Sequence, residues 1–177
     1  IGADLARLER ISLRFELIGQ EPQLEPTDLR EVLEGLRSYL EARLPRLGSG
    51  VKLEFEVDGD LSHVPGNEVL LTWALENMVK NSLDALGGKG GRIAVRAREA
   101  DGGRVLISVS DTGPGVPAGL RSEIFEPGVT TKARGWGVGL ALSRRIVEGV
   151  HGGRLEIGEG DGSGATFHMF LPSQKRG

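Results

Sequence analysis

From Val51 to Val57 the chain reads Val-Lys-Leu-Glu-Phe-Glu-Val, an unbroken alternation of apolar and charged side chains. Successive side chains of a strand point to opposite faces, so this segment makes a strand with one dry and one wet face. The habit recurs from Ile93 to Arg98 and from Val105 to Ser110, joined by an Asp101-Gly102-Gly103 turn that makes a hairpin. Leu155–Ile157 and Thr166–Leu171 add two shorter strands. Strands with one wet face belong to a largely antiparallel sheet covered on one side, whereas doubly covered parallel sheets have strands that are apolar throughout. A Rossmann or P-loop layout is therefore disfavoured. Amphipathic stretches from Asn67 to Leu86 and from about Gly137 to Val150 supply helices for the dry face. The expected fold is an α/β (α+β) two-layer sandwich: a mixed, largely antiparallel sheet of about five strands with helices on one face, preceded by a helical segment.

That preceding segment carries Ile1, Leu5, Leu8, Ile11 and Phe15 at helical spacing, and Pro22 and Pro26 interrupt it. A second helix starts at Thr27 or Asp28, with Glu31 suited to a capping box, buries Leu29, Val32, Leu33, Leu36 and Leu40, and is expected to stop at Pro45. The organisation is thus residues 1–20, a linker over 21–26, a domain over 27–172 and a tail over 173–177. The 177 residues suffice for one compact core without staples, and the absence of cysteine removes zinc fingers, iron–sulfur clusters and thiol nucleophiles. A net charge of −3 gives no general pull toward nucleic acid. No apolar run approaches the roughly 20 residues of a membrane span, so no direct membrane contact is expected of this piece. Starting at Ile1 rather than methionine, it is expected to be part of a longer polypeptide.

Three elements could carry chemistry. On the Asn67–Leu86 helix, Leu71, Leu75, Met78, Ser82 and Leu86 form the core stripe, while Asn77, Asn81 and Asp84 share roughly the opposite side. Asparagine is a poor helix former, and two of them one turn apart suit amide oxygens held for a hard cation such as Mg²⁺; a solvated face with accidental asparagines is the plain alternative. At a strand end, Asp111-Thr112-Gly113-Pro114-Gly115-Val116 combines a carboxylate acceptor with glycines that admit a ligand close to the backbone, although the same residues also make an ordinary tight turn. Finally, Gly135-Trp136-Gly137-Val138-Gly139-Leu140 opens a helix, where free N–H groups and the helix dipole favour phosphate. Phe125 to Lys132, with Arg134 beyond it, reads as a mobile lid.

In order and spacing, Asn77-x₃-Asn81, Asp111-x-Gly113-x-Gly115, Phe125-x-Pro127, Thr130-Thr131-Lys132 and Gly135-x-Gly137-x-Gly139-Leu140 resemble the N, first glycine, F and second glycine boxes of bacterial sensor histidine kinases. Gly162-x-Gly164-x-Thr166 resembles the family's closing glycine-threonine element, and the likeness spans residues 27 to 172. It implies the Bergerat (GHKL) ATP-binding fold. Carried over residue by residue, Asn81 would hold Mg²⁺ against the phosphates with Asn77 beside it, and Asp111 would accept from the adenine amine with Thr166 supporting the base. Gly137 and Gly139 would line the phosphates, and Lys132 would reach the γ-phosphate, with Lys80 a weaker candidate. Asn77, Asn81 and Lys132 are the expected catalytic residues. Asp84, Gly113, Gly115, Val116, Phe125, Thr130, Thr131, Gly135, Trp136, Val138 and Leu140 join the expected nucleotide-binding set. Trp136 stands where a small residue is commoner.

The resemblance further implies that residues 1–20 end the second helix of a dimerisation hairpin, whose phosphate-accepting histidine lies outside this sequence. Expected partners are ATP, that hairpin within a homodimer, and a response regulator receiver domain, all in the cytoplasm. His63, His151 and His168 lack the acceptor's helical context and read as structural. The main rival is a GHKL ATPase of gyrase, mismatch-repair or chaperone type, in which a glutamate four residues before the metal-binding asparagine activates water. That position here is Asn77, and Glu76 is about 100° away around the helix. A binding-only nucleotide module and an anti-sigma serine kinase compete less strongly.

Overall fold

The computed structural model describes residues 22–47, 50–126, 139–158 and 164–174. The helix expected over residues 1–20 lies outside them. The chain runs β1 (Glu25–Thr27), α1 (Leu29–Leu47), β2 (Val51–Val57), β3 (Val64–Gly66), α2 (Glu68–Leu86), β4 (Gly91–Ala100) and β5 (Arg104–Asp111). A 3₁₀ turn at Ala118–Leu120 follows. Then come α3 (Gly139–Arg144), which continues as a π-helical turn over Arg145–Val150, β6 (Arg154–Ile157) and β7 (Thr166–Pro172).

Five strands form one sheet in the order β2-β4-β5-β7-β6, with β2 parallel to β4 and every other pair antiparallel. This is the expected mixed, largely antiparallel sheet. Alternation sets its two faces: Ile93, Val95 and Ala97 of β4, Val105, Ile107 and Val109 of β5, and Phe167, Met169 and Leu171 of β7 are all buried toward the helices. The other face carries rows such as Arg96, Ser108, His168 and Glu156, paired across strands. Ion pairs on it, including Arg96–Glu56 and Arg154–Glu156, are solvent-exposed and contribute little.

Leu70, Leu71, Ala74, Leu75, Met78 and Ser82 of α2 are fully buried, and each large apolar side chain among them contributes roughly 2 kcal/mol. Asn67 caps this helix, its side chain accepting from the Leu70 N–H at 3.1 Å. Gly87 ends it in the left-handed region at φ 60°, which glycine adopts without a Cβ penalty. At the start of α1, the Asp28 carboxylate accepts from the Arg30 N–H, as expected of a cap.

Three features depart from the pattern reading. Helix α1 runs to Leu47, two residues past Pro45. A proline inside a helix removes one i→i−4 bond and crowds the carbonyl four residues back, and here the helix persists for only two residues beyond it. Residues 25–27, at the junction of the expected linker and domain, pair antiparallel with Val64–Gly66 as a separate two-stranded sheet. The second half of the helix before His151 is π rather than α, with the His151 N–H donating to the Ile146 carbonyl five residues back.

Candidate site where the asparagine helix meets the end of β5

Helices α2 and α3 lie side by side in opposite directions, and three contacts fix their register. A Cβ placed on Gly139 would lie 3.9 Å from Asn77 Cβ. The Ser143 hydroxyl donates to the Ala74 carbonyl at 3.1 Å, and His151 receives the Asn67 N–H at 3.1 Å. The last glycine of the Gly135-x-Gly137-x-Gly139 run is thereby set against the asparagine helix. Ser143 is fully buried. Ser143→Ala is expected to lower stability by about 1 kcal/mol, because the Ala74 carbonyl keeps its place in α2 and only one bond is lost. Urea denaturation measures it.

At the end of β5, Asp111 is 5% exposed. Its Oδ1 accepts from the Gly113 N–H at 2.9 Å and the Ala165 N–H at 3.4 Å, and its own N–H donates to the Ala165 carbonyl at 3.0 Å. Glycines make this closeness possible. A Cβ on Gly164, whose φ is +116°, would stand 1.9 Å from the Asp111 carbonyl oxygen, and one on Gly113 would be 3.0 Å from Asp111 Oδ1 and 3.2 Å from the Ala85 carbonyl on α2. The strand end and the last turn of the asparagine helix are therefore in contact.

Among the described residues, three buried side-chain polar atoms have no hydrogen-bond partner: Asn77 Nδ2, Ser82 Oγ and Asp111 Oδ2. All belong to α2 or to the end of β5. Folded proteins rarely leave such atoms idle, since each costs about 1–3 kcal/mol, so Asn77 Nδ2 and Asp111 Oδ2 are candidates for contact with a polar ligand. Chemically the set fits a purine nucleotide: Asp111 has one oxygen pinned and the other bare to accept an exocyclic amine, while the Asn77 amide can donate to an anion.

The remaining expected residues divide. Asn81 is half-buried one turn from Asn77, and Lys80 and Asp84 are on the exposed side of α2. Gly115, at φ +79°, abuts the Gly164 carbonyl, and Val116 packs partly against the core. Leu140 is a core residue. Phe125 is buried edge-to-face on Phe167, with the Arg144 guanidinium 5.4 Å from its ring. It also lines a cleft of about 500 Å³ with Arg121, Glu148 and Arg154, apart from the asparagines and Asp111. Phe125 therefore packs into the core through Phe167. Thr130, Thr131, Lys132, Gly135, Trp136, Gly137 and Val138, with the lid expected there, lie outside the described residues.

Thr166 needs correcting. It pairs with Ser110, its hydroxyl 3.0 Å from the Ser110 hydroxyl, on the open face of the sheet opposite to Asp111. Period-two alternation forces this, because the strand that buries Phe167 must turn its neighbour outward. The group that does reach Asp111 is the backbone N–H of Ala165. Pattern reading also missed the Ser82 hydroxyl, counted as core stripe, and the Ser143 and His151 ties, which no local spacing signals. Glu76 is 6% exposed, buried on α2.

Among the described residues, no helix is long and apolar enough to cross a membrane. The family model for histidine kinase-, DNA gyrase B- and HSP90-like ATPases matches residues 66–175. The C4-dicarboxylate transport sensor protein DctB of Rhizobium meliloti (strain 1021) is 39% identical over 147 residues, 82% of this chain and 23% of DctB. The chain thus spans about a quarter of the length of the curated relatives it matches. Among solved structures, the catalytic domain of histidine kinase ThkA superposes with a TM-score of 0.75 at 26% identity, covering 85% of this chain and 96% of that one. Full-length ShkA in complex with AMPPNP superposes with a TM-score of 0.79 at 31% identity, covering 97% of this chain and 36% of that one. ThkA has also been solved in complex with the response regulator protein TrrA. With its sheet, its asparagine helix and its idle carboxylate oxygen in place, the chain belongs to the histidine kinase-, DNA gyrase B- and HSP90-like ATPase family and is an ATP-binding domain of the sensor histidine kinase type.

Proposed function

We propose that this domain holds ATP with Mg²⁺ between α2 and the end of β5 and presents the γ-phosphoryl group to a histidine on the dimerisation hairpin of the same kinase, on the cytoplasmic side of the membrane. A response regulator receiver domain takes the group afterwards. The observation that carries this reading is that α2 and the end of β5, two elements in contact, each bear a buried polar atom without a partner, Asn77 Nδ2 and Asp111 Oδ2. The AMPPNP complex of ShkA and the ThkA–TrrA complex support it by similarity.

Asp111 orients the base: Oδ1 is fixed by two backbone N–H groups, which leaves Oδ2 as the oxygen that accepts from the exocyclic amine. Asn77 donates toward phosphate oxygens, and Asn81 would hold Mg²⁺. When bound, the ion supplies neutralisation of phosphate charge. Gly139, beside Asn77, begins a helix whose first N–H groups favour anions. Lys132, Thr130, Thr131 and the glycines 135 and 137 would close over the phosphates, with Trp136 and Val138 between them. Phosphoryl transfer breaks the bond from γ-phosphorus to the ADP oxygen as the acceptor imidazole nitrogen forms the new one. The protein's share of this is positioning and electrostatics.

The rival ATPase reading requires a carboxylate base for water, and here Asn77 occupies that position while Glu76 is buried. Glu76→Gln is expected to leave histidine phosphorylation within about threefold of the parent, provided the fold is retained by circular dichroism. Mixing the chain with a dimerisation hairpin and γ-labelled ATP tests the assignment directly. Label on the hairpin histidine supports a kinase, whereas rapid release of free phosphate, abolished by Glu76→Gln, supports the hydrolytic rival. Bound nucleotide with neither outcome supports a binding-only module.

A further inference from the structure

His151 stands at a point where three elements meet. Its ring is 5% exposed. Nδ1 lies 2.8 Å from the Ile146 carbonyl at the π turn following α3, and Nε2 lies 3.1 Å from the backbone N–H of Asn67, the cap of α2. A carbonyl can only accept and a backbone N–H can only donate, so both bonds exist together only in the neutral imidazole with its proton on Nδ1. A Cβ on the neighbouring Gly66 would lie 3.5 Å from His151 Cδ2 and 3.2 Å from the Thr27 hydroxyl, which itself donates to the Gly66 carbonyl. Thr27 closes β1, the strand at the junction of the expected linker and domain. One imidazole thus ties the end of the helix that begins at Gly139, beside Asn77, to the start of the asparagine helix, with β1 packed alongside.

A second proton on Nε2 would set two donors against each other and place a charge in a buried site. Among the described residues, the charged groups on the packed elements are engaged elsewhere or exposed. Asp28, after β1, accepts from the Arg30 N–H; Glu148, on the π turn, is committed to Arg144 and the Leu155 N–H; Glu68, opening α2, and Arg145 are exposed. Burial accordingly holds the imidazole below the ordinary histidine range, against a smaller raising effect of the Ile146 carbonyl.

We propose that His151 is a proton-sensitive joint, closed when neutral and opened by a second proton, through which mild acid loosens the start of α2 from the end of the α3 helix and weakens the nucleotide site at Asn77, against which Gly139 of α3 is set. The nucleotide part of this rests on the function proposed above. The sign follows from linkage. The folded pKa lies below the unfolded value of about 6.5, so the unfolded chain binds more protons as pH falls. The joint's contribution is complete above about pH 6.5 and is lost as pH drops from there through the folded value, at most tenfold in the folding constant per pH unit.

The test is made on the whole 177-residue chain. Imidazole ¹⁵N shifts and amide hydrogen exchange along α2 are followed from pH 7.5 to pH 5, with AMPPNP affinity measured over the same range. The proposal expects the His151 ring to change from the Nδ1–H tautomer to the doubly protonated form as the Asn67 amide loses at least tenfold of its protection after correction for intrinsic exchange. Affinity should fall about tenfold in step. His151→Gln should flatten both profiles, whereas His168→Gln, which removes a half-buried histidine on the open sheet face bonded to Ser108, should leave them unchanged. If His151→Gln does not fold, the ring and amide titrations of the parent chain decide alone. A ring that protonates without loss of Asn67 protection, or a pH profile that survives in His151→Gln, overturns the joint. Failure to bind AMPPNP at any pH while the Asn67 amide still loses protection as His151 protonates overturns the nucleotide reading, and with it the coupling, but leaves the link between the helices standing.

Discussion

Replacing Asp111 with asparagine is expected to weaken ATP binding by about two orders of magnitude, roughly 3 kcal/mol, with no loss of fold stability. Asparagine keeps one carbonyl oxygen for the Gly113 and Ala165 N–H groups, so the turn at the end of β5 survives. Its NH₂ group then takes the place of the bare Oδ2 and faces the adenine amine donor to donor. Without nucleotide the change exchanges a buried, half-satisfied carboxylate for a neutral amide, which removes a desolvation cost. Calorimetric titration beside thermal unfolding separates the two effects. Retained affinity with lost stability would instead make Asp111 a turn residue.

Gly164→Ala should produce the largest stability loss of any glycine change near the site, about 3–5 kcal/mol, seen as a fall in Tm of roughly 10 °C or more. The added methyl would have to occupy space 1.9 Å from the Asp111 carbonyl oxygen and 3.1 Å from Asp111 Oδ1, at a φ of +116° that L-residues rarely adopt. The closest obstructing atoms, the carbonyl carbon and oxygen of Asp111, are backbone at the junction of β5 and β7, so relief means moving the strand end that carries the carboxylate. Binding should fail with the fold. Gly119→Ala is the control: no atom lies within 4 Å of its added methyl and no left-handed φ is involved, so it should stay within about 0.5 kcal/mol of the parent.

Much of this architecture was legible in the sequence because burial on one face imposes a period on the strands. The alternation in Val51–Val57 and in the hairpin from Ile93 to Ser110 located three of the five strands of the main sheet, and the stripe from Leu71 to Leu86 located α2. What alternation does not encode is who pairs with whom. Nothing in Val51–Val57 says that β2 lies parallel to β4, and β1 and β3, three residues each, are too short to show a period. The site was legible to the same depth. Asn77 and Asp111 stood out because their residue types are costly where they sit. Thr166 was misplaced because a motif records order, not parity: one residue along β7 is the other side of the sheet. Ser143 and His151 were unreadable as ties, since their partners are backbone atoms 69 and 84 residues away.

The central claim is that an adenine nucleotide sits between the asparagine helix and the end of β5. Titrating the chain with AMPPNP and Mg²⁺, by calorimetry and by NMR on the same sample, tests it most directly. The account predicts saturable binding with a dissociation constant between about 1 μM and 1 mM, with the largest shifts at the Asn77 and Asn81 side-chain amides and the Gly113 and Ala165 backbone amides. No heat at millimolar nucleotide, or shifts confined to the Arg121, Arg144 and Arg154 cleft, would contradict it.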